Sequence, residues 1–248
     1  MFSPSTFVIN DGSLPKITPV TADSYSGQVV NYQTGNELIR KTYIPRSNFY
    51  RKGGRAIVLG NGKGRSRLSL AEINHSNRNK RLAFYNIIYG CNNAFLEEGD
   101  LDYLIVTNQL VATQIPKDLH ASCYTNQEIQ RVFQNMEIIP LNQRLDAGSA
   151  AAMTACFHGA DKVFLFGFDG QERNSKNNNI YAGHRFYDDE SVVINDNQWQ
   201  INLEMIMASY SNVTFYRIDA NPVNARRHQR LKHYKLISFQ DFVYEADI

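Results

Sequence analysis

The chain has 248 residues, of which 43% are hydrophobic and 20% charged, so one large domain can bury an ordinary globular core. The formal net charge of +2 gives no overall attraction to nucleic acid or to membranes, and any anion site must come from a local cluster. Cys91, Cys123 and Cys156 lie too far apart for a zinc motif or a disulfide framework.

The N-terminus has none of the features of a signal peptide, since MFSPSTFVIND has no basic start and no long apolar run. No stretch of the sequence approaches the roughly 18 apolar residues that a membrane-spanning helix needs. The cysteine spacing is typical of reduced thiols. We therefore expect a soluble, cytoplasmic protein.

Residues 1–52 differ in composition from the rest of the chain. They are rich in Ser, Thr, Pro, Gly and Asn, which predicts an extended, irregular N-terminal arm, with a partly ordered tail as the alternative. Residues 53–248 are predicted to form a Rossmann-like nucleotide-binding domain.

Short apolar runs within this domain predict the strands of a buried sheet. Residues 56–59 form a continuous apolar run that ends at Gly60, a pattern typical of a parallel strand buried on both faces. Further strands are expected at residues 85–89, 103–107, 120–124, 163–166 and 213–216, with helices at 128–135, 147–158 and 198–210. This alternation favours an α/β fold with a mostly parallel sheet flanked by helices.

A glycine-rich turn directly follows the first strand of the domain. It consists of Gly60, Asn61, Gly62, Lys63, Gly64 and Arg65. Glycines let a ligand approach the backbone, amides at a helix start can hold phosphate, and the two cations add positive charge. The spacing fits neither the Walker loop nor the GxGxxG fingerprint, and a plain strand-to-helix turn is the alternative.

Two asparagines, Asn92 and Asn93, follow the second strand of the domain. An amide side chain both donates and accepts hydrogen bonds, so it can recognise a base or a ribose. Asparagine also favours turns and helix caps, which is the alternative interpretation.

Small residues open the helix predicted at residues 147–158. Gly148 permits close approach of a ligand, and Ser149 offers a hydroxyl beside the unpaired amides of the first helical turn. Tight packing of the helix on the sheet is the alternative.

Asp169 follows the strand at residues 163–166, after a glycine. Ligands of open parallel sheets bind beyond the carboxyl ends of the strands, so Asp169 is a candidate to bind a ribose, a metal or an acceptor hydroxyl. A carboxylate that only caps a turn is the alternative.

Residues 171–196 are predicted to form a long binding loop or lid, or a plain surface excursion. Within it, His184 and Arg185 could supply proton transfer and phosphate charge, although a lone surface histidine is equally compatible with the sequence. The basic run at residues 226–233 is interpreted as a solvated helix face, with phosphate or nucleic-acid contact as the alternative.

The sequence resembles a Rossmann-like superfamily in four segments and in the order in which they occur. They are AIVLGNGKG, IYGCNNAF, DYLIVTN and AGSAAAMTACFHGADKVFLFGFDG, which together span residues 55–170. The superfamily includes CMP-sialic-acid-dependent sialyltransferases, Maf-type motility-accessory glycosyltransferases and archaeal hydroxymethylpterin pyrophosphokinases.

The resemblance implies a role in nucleotide binding for several residues: Gly60, Asn61, Gly62, Asn92 or Asn93, Gly148 and Ser149. It implies that His184 acts on the phosphate or on the leaving group. Many members carry Asp where this chain has Asn108, and the loss of that acid argues against a metal-dependent reaction.

The expected activity is glycosyl transfer from a nucleotide-activated sugar to a glycan or another hydroxyl acceptor. The expected donor is a CMP-linked sugar. No cofactor is expected, and Asp169 would orient or deprotonate the acceptor. One alternative is a Mg²⁺-dependent diphosphate transfer onto a small alcohol. Another is a non-catalytic Rossmann-like interaction module. Nucleic acid is not an expected partner, and the sequence leaves a homo-oligomer open.

Overall fold

An eight-stranded parallel sheet is the centre of this computed structural model. The structure describes residues 29–34, 37–42, 54–80, 85–97, 99–139, 145–169, 178–184, 187, 197–218 and 226–248. The sheet strands are β3 (Gly54–Leu59), β4 (Asn86–Cys91), β5 (Tyr103–Val106), β6 (Ser122–Thr125), β7 (Glu137–Ile138), β8 (Ala160–Phe166), β9 (Thr214–Ile218) and β10 (Tyr234–Ile237). Two earlier strands, β1 (Val29–Thr34) and β2 (Glu37–Thr42), form a separate antiparallel pair within the N-terminal arm.

The strand order is β10-β9-β8-β3-β4-β5-β6-β7, and all seven neighbouring pairs are parallel. From β3 the strands are added in chain order on one side as far as β7, and β8 then pairs with the other side of β3. The strand order therefore reverses between β3 and β8, and ligands of such sheets bind at the carboxyl edge near this point. The predicted α/β fold with a Rossmann-like parallel sheet is confirmed.

Helices cover both faces of the sheet. They are α1 (Leu70–Arg78), α2 (Gln109–Ala112), α3 (Gln127–Gln130), α4 (Ala147–Phe157), α5 (Asn197–Ser209) and α6 (Phe239–Ala246). Helices α4 and α5 pack into one hydrophobic cluster with one face of the sheet, while α1 and α6 belong to the cluster on the other face. None of the helices that the structure describes is long and apolar enough to cross a bilayer.

Helix α3 is one turn long, whereas the sequence predicts a helix over residues 128–135. Ile129 is buried at 3% exposure, but Val132 is 61% exposed, so the apolar side chains do not form one continuous face. The chain then turns, with the amide of Val132 donating to the carbonyl of Ile129 at 3.0 Å.

A buried histidine lies beneath the end of α4, among three tyrosines of neighbouring strands. The two ring nitrogens of His158 are 3.0 Å from the hydroxyl of Tyr89 and 3.2 Å from that of Tyr124, and its ring centroid is 4.6 Å from that of Tyr103. Burial lowers the pKa of His158 to about 3, so the imidazole is neutral at physiological pH.

We expect His158 to make folding stability depend on pH below 6.5. The unfolded chain binds a proton near pH 6.5, whereas the folded chain does so only near pH 3, so stability is lost as the pH falls through this window. Urea unfolding of the wild type and His158→Gln measures the effect. The stability advantage of the wild type should shrink by about 1 kcal/mol between pH 6.5 and 5.5. An advantage that stays constant with pH would contradict a neutral buried imidazole.

Candidate active site

The loops that follow β3 and β8 pair directly at the carboxyl edge of the sheet. The amide of Gly60 donates to the carbonyl of Phe166 at 2.7 Å, and the amide of Gly62 donates to the carbonyl of Gly167 at 2.9 Å. A Cβ atom at Gly60 would lie 2.6 Å from the carbonyl oxygen of Gly167. The glycines are thus required for the contact between the two loops.

Asp169, which follows β8, contacts the same glycine turn. Its Oδ2 accepts hydrogen bonds from the amide of Gly64 at 2.7 Å and from Nδ2 of Asn178 at 3.1 Å. Asn178 in turn accepts from the amide of Lys63 at 3.3 Å, while the Lys63 side chain is exposed. The backbone amides of this turn therefore donate largely within the protein.

Asn61 extends from the turn toward the end of β4. Its Oδ1 lies 3.3 Å from Sγ of Cys91, and its Nδ2 lies 3.5 Å from the hydroxyl oxygen of Tyr187. The thiol of Cys91 also donates to the carbonyl of Leu59 at 2.9 Å. Burial raises the pKa of Cys91 to about 12, so this residue is a neutral hydrogen-bond donor and not a nucleophile.

Asn92 begins the 3₁₀ turn after β4 with a φ of 48°, a left-handed conformation that asparagine tolerates better than most residues. Its Oδ1 accepts from the amide of Thr107 at 3.1 Å, which fixes the side chain across the ends of β4 and β5. The side chain of Asn92 also lies close enough to the Tyr187 hydroxyl to lower the pKa of that phenol. The neighbouring Asn93 is buried at 4% exposure.

Tyr187 is the residue on which Asn61 and Asn92 converge. Burial raises the pKa of Tyr187 to about 12, and its hydrogen bonds to the two asparagines act in the opposite direction. The phenol therefore keeps its proton at neutral pH. Asn61, Asn92 and Tyr187 together form a cluster of uncharged hydrogen-bonding groups at the edge of the sheet, and we call these three residues the rim cluster.

The start of α4 lies at the same edge of the sheet. Asp146 caps the helix, because its Oδ1 accepts from the amide of Ser149 at 2.8 Å. The Ser149 hydroxyl donates to the carbonyl of Trp199 at 3.3 Å and is buried, while Gly148 faces the ring of Phe168. The described contacts of Gly148 and Ser149 are thus packing and capping contacts. The negative charge of Asp146 also contributes to the raised pKa of Cys91.

The segment of residues 178–184 runs beside the glycine turn and is fixed to it, since the amide of Ile180 donates to the carbonyl of Asn61 at 2.8 Å. His184 is exposed, with its ring centroid 6.1 Å from that of Tyr181. Arg185 lies outside the described residues. The structure therefore places His184 on the segment that runs beside the glycine turn, with its side chain exposed.

The basic run after β9 packs against α5. Arg230 forms an ion pair with the buried Glu204, its Nε lying 2.8 Å from Oε1. The ring nitrogens of His228 and His233 lie 3.2 Å and 2.7 Å from carbonyls of the same helix.

Asn108 caps α2, with its side chain accepting from the amide of Leu110 at 2.9 Å.

Metal ligands do not cluster in the part of the chain that the structure describes. No group of three or more His, Cys, Asp or Glu side chains there could hold a metal ion. The rim cluster offers hydrogen bonding by uncharged groups, and Asp169 and His184 are titratable groups of the adjoining loops.

Two of three comparisons with known proteins found no relative. No family model matches the chain, and no curated protein matches it. Several solved structures do resemble it, all at low sequence identity.

Three of these solved structures are sialyltransferases. The monofunctional α-2,3-sialyltransferase Cst-I from Campylobacter jejuni is 16% identical, with 75% of this chain and 79% of that chain covered at a TM-score of 0.42. The sialyltransferase CstII from the same organism, solved with cytidine-5′-monophosphate, is 14% identical, with coverage of 67% and 80% at a TM-score of 0.41. CST-II with a trisaccharide acceptor and CMP is 14% identical, with coverage of 66% and 80% at a TM-score of 0.36. A likeness at this level assigns neither a family nor a reaction.

Proposed function

We propose that this protein is a glycosyltransferase that uses a nucleotide-activated sugar, with a CMP-linked sugar as the donor. The observation that carries the proposal is the rim cluster itself. Asn61 and Asn92, which follow neighbouring strands, meet the protonated hydroxyl of Tyr187 at the edge where parallel sheets bind their ligands. The sequence resemblance and the CMP that is bound in the solved sialyltransferases name the first nucleotide to test.

The proposed reaction is a substitution at the anomeric carbon of the donor sugar. The acceptor hydroxyl oxygen forms the new bond to that carbon, the bond from the carbon to the phosphate oxygen breaks, and the nucleotide leaves with the bonding electrons. Negative charge grows on the phosphate as the bond breaks. Neutral donors held in fixed positions stabilise this charge, which is the role we assign to Tyr187, Asn61 and Asn92.

The proton of the acceptor hydroxyl needs a base. Asp169 already accepts hydrogen bonds from Gly64 and Asn178, so it holds the glycine turn in place. His184 is exposed on the segment that follows. We therefore propose His184 as the proton acceptor and Asp169 as a positioning residue, with Arg185 and Lys63 supplying charge to the donor phosphate.

A thermal-shift screen tests the donor. CMP and CMP-sugars are expected to raise the melting temperature more than UDP, GDP or ATP derivatives, because a ligand that binds only the folded chain stabilises it. The shift should be the same with Mg²⁺ and with EDTA. Product analysis with the stabilising nucleotide sugar and a panel of glycan acceptors then tests turnover.

Two other results would replace the proposal. A shift with ATP that requires Mg²⁺, followed by diphosphate transfer to a small alcohol, would support the pyrophosphokinase alternative. If the protein neither binds nor turns over any nucleotide sugar, a non-catalytic Rossmann-like module becomes the better description.

A further inference from the structure

A buried charged cluster joins three loops beside the rim cluster. Arg65 lies in the 3₁₀ turn after β3, Glu97 follows the turn after β4, and Tyr181 belongs to the segment of residues 178–184. Nη1 of Arg65 donates to Oε2 of Glu97 at 3.0 Å, and Nη2 donates to Oε1. The pair is thus bidentate, the geometry in which an arginine binds a carboxylate most strongly.

Tyr181 completes this cluster. Its hydroxyl donates to Oε1 of Glu97 and accepts from Nη2 of Arg65. The guanidinium carbon of Arg65 also lies 5.6 Å from the centre of the Tyr181 ring. Burial raises the pKa of Tyr181, so the phenol stays neutral and continues to donate to the carboxylate.

The cluster is shielded from water. The side chain of Arg65 is 2% exposed and that of Glu97 is 26% exposed, while Tyr181 is 4% exposed. A buried charge is costly unless it is paired, so the two ions hold each other in place and hold the phenol between them. The charge of Arg65 is therefore matched by that of Glu97.

Backbone hydrogen bonds connect Tyr181 to the rest of its segment and to Tyr187. The amide of His184 donates to the carbonyl of Tyr181 at 3.0 Å, and the amide of Tyr187 donates to the carbonyl of His184 at 2.8 Å. The amide of Gly183 donates back to the carbonyl of Tyr187 at 2.7 Å. A short series of hydrogen bonds thus connects the buried phenol to the hydroxyl that faces Asn61.

We infer that Arg65, Glu97 and Tyr181 form a latch that holds residues 178–184 and Tyr187 over the ends of β3 and β4. The three residues are positioning residues, since they act through Tyr187 and His184 and not on the substrate. The inference rests on the proposed function for its catalytic consequence, because the latch sets the position of the group that stabilises the leaving phosphate. The latch itself is a property of the ligand-free protein.

Hydrogen exchange of the ligand-free protein tests the latch. Tyr181→Phe keeps the ring and leaves the ion pair intact, whereas Glu97→Gln removes the charge that faces Arg65. Both variants should accelerate exchange at the amides of Ile180, Ala182 and His184 by about 10- to 100-fold, as loss of a hydrogen bond to a charged group predicts. Tyr244→Phe, at a residue that is 87% exposed, is the matched control and should exchange like the wild type.

Kinetics separate a positioning role from a purely structural one. With a CMP-sugar, Tyr181→Phe should lower kcat about tenfold and leave the KM for the donor nearly unchanged, because the affected interaction grows in the transition state. Unchanged exchange in both variants overturns the latch, whatever the activity. Faster exchange with an unchanged kcat overturns the positioning role. Failure of the wild type to turn over any nucleotide sugar would instead refute the proposed function, and the exchange data would still decide whether the latch exists.

Discussion

Tyr187→Phe is expected to lower kcat for a CMP-sugar about 100-fold, the effect that loss of one fixed donor to a developing negative charge usually has. The hydroxyl lies 3.5 Å from Nδ2 of Asn61, and Asn92 lowers its pKa as well. Its pKa of about 12 keeps the donor protonated throughout the neutral range. Initial rates, with the released nucleotide separated by chromatography, measure the change.

The matched control for this variant is again Tyr244→Phe. It removes the hydroxyl of a side chain that is far more exposed than that of Tyr187. The melting temperature of Tyr187→Phe should stay close to that of the wild type, because the ring remains and no charge is left unpaired. A kcat within about twofold of the wild type would show that the phenol does not act on the leaving group.

Gly167→Ala is expected to destabilise the fold by about 2–5 kcal/mol and to weaken nucleotide binding. Gly167 has a φ of +67°, and a Cβ atom there would lie 2.7 Å from the carbonyl oxygen of Gly60 and 3.0 Å from the amide nitrogen of Gly62. The substitution combines left-handed strain, about 1–2 kcal/mol, with overpacking of about 1–3 kcal/mol. The loops after β3 and β8 must separate to accept the methyl group, which moves Asn61.

Gly183→Ala isolates the backbone-strain part of this effect. Gly183 has a φ of +84°, but a Cβ atom there would meet no other atom within 4 Å. Its cost should therefore be limited to backbone strain, about 1–2 kcal/mol. Urea unfolding of both variants gives the comparison. Equal losses of stability would contradict a requirement for close approach of the two loops.

The sheet could be predicted from the sequence because its central strands are apolar runs. Residues 56–59 are fully buried, as a strand covered on both faces should be. Helices α1 and α6 were not predicted, although Ser69 with Glu72 and Ser238 with Asp241 have the spacing of a capping box. Those signals are local and could have been used.

The site was only partly predictable. Asn61 and Asn92 each follow a strand, and parallel strands bring their carboxyl ends to one edge, so their proximity follows from the fold. The hydrogen bond between Asp169 and the glycine turn does not follow from the fold class. It joins two residues 105 positions apart, and the pairing of their loops depends on tertiary packing. Glu97 and Tyr187 carried no sequence signal of their own, since a lone carboxylate and a lone phenol are ordinary surface residues until packing buries them. All the site residues named from the sequence stay predictions as groups that contact a ligand: Gly60, Asn61, Gly62, Lys63, Asn92, Asn93, Gly148, Ser149, Asp169, His184 and Arg185.

A hydrogen-exchange footprint of CMP on the wild-type protein tests the central claim most directly, namely that the rim cluster holds the donor nucleotide. Saturating CMP should slow exchange in peptides that contain Asn61, Asn92 and Tyr187, and the protection should be lost in Asn61→Ala. Protection elsewhere would contradict the account, for example in the apolar groove that Leu68 and Ile73 form with Phe242 between α1 and α6.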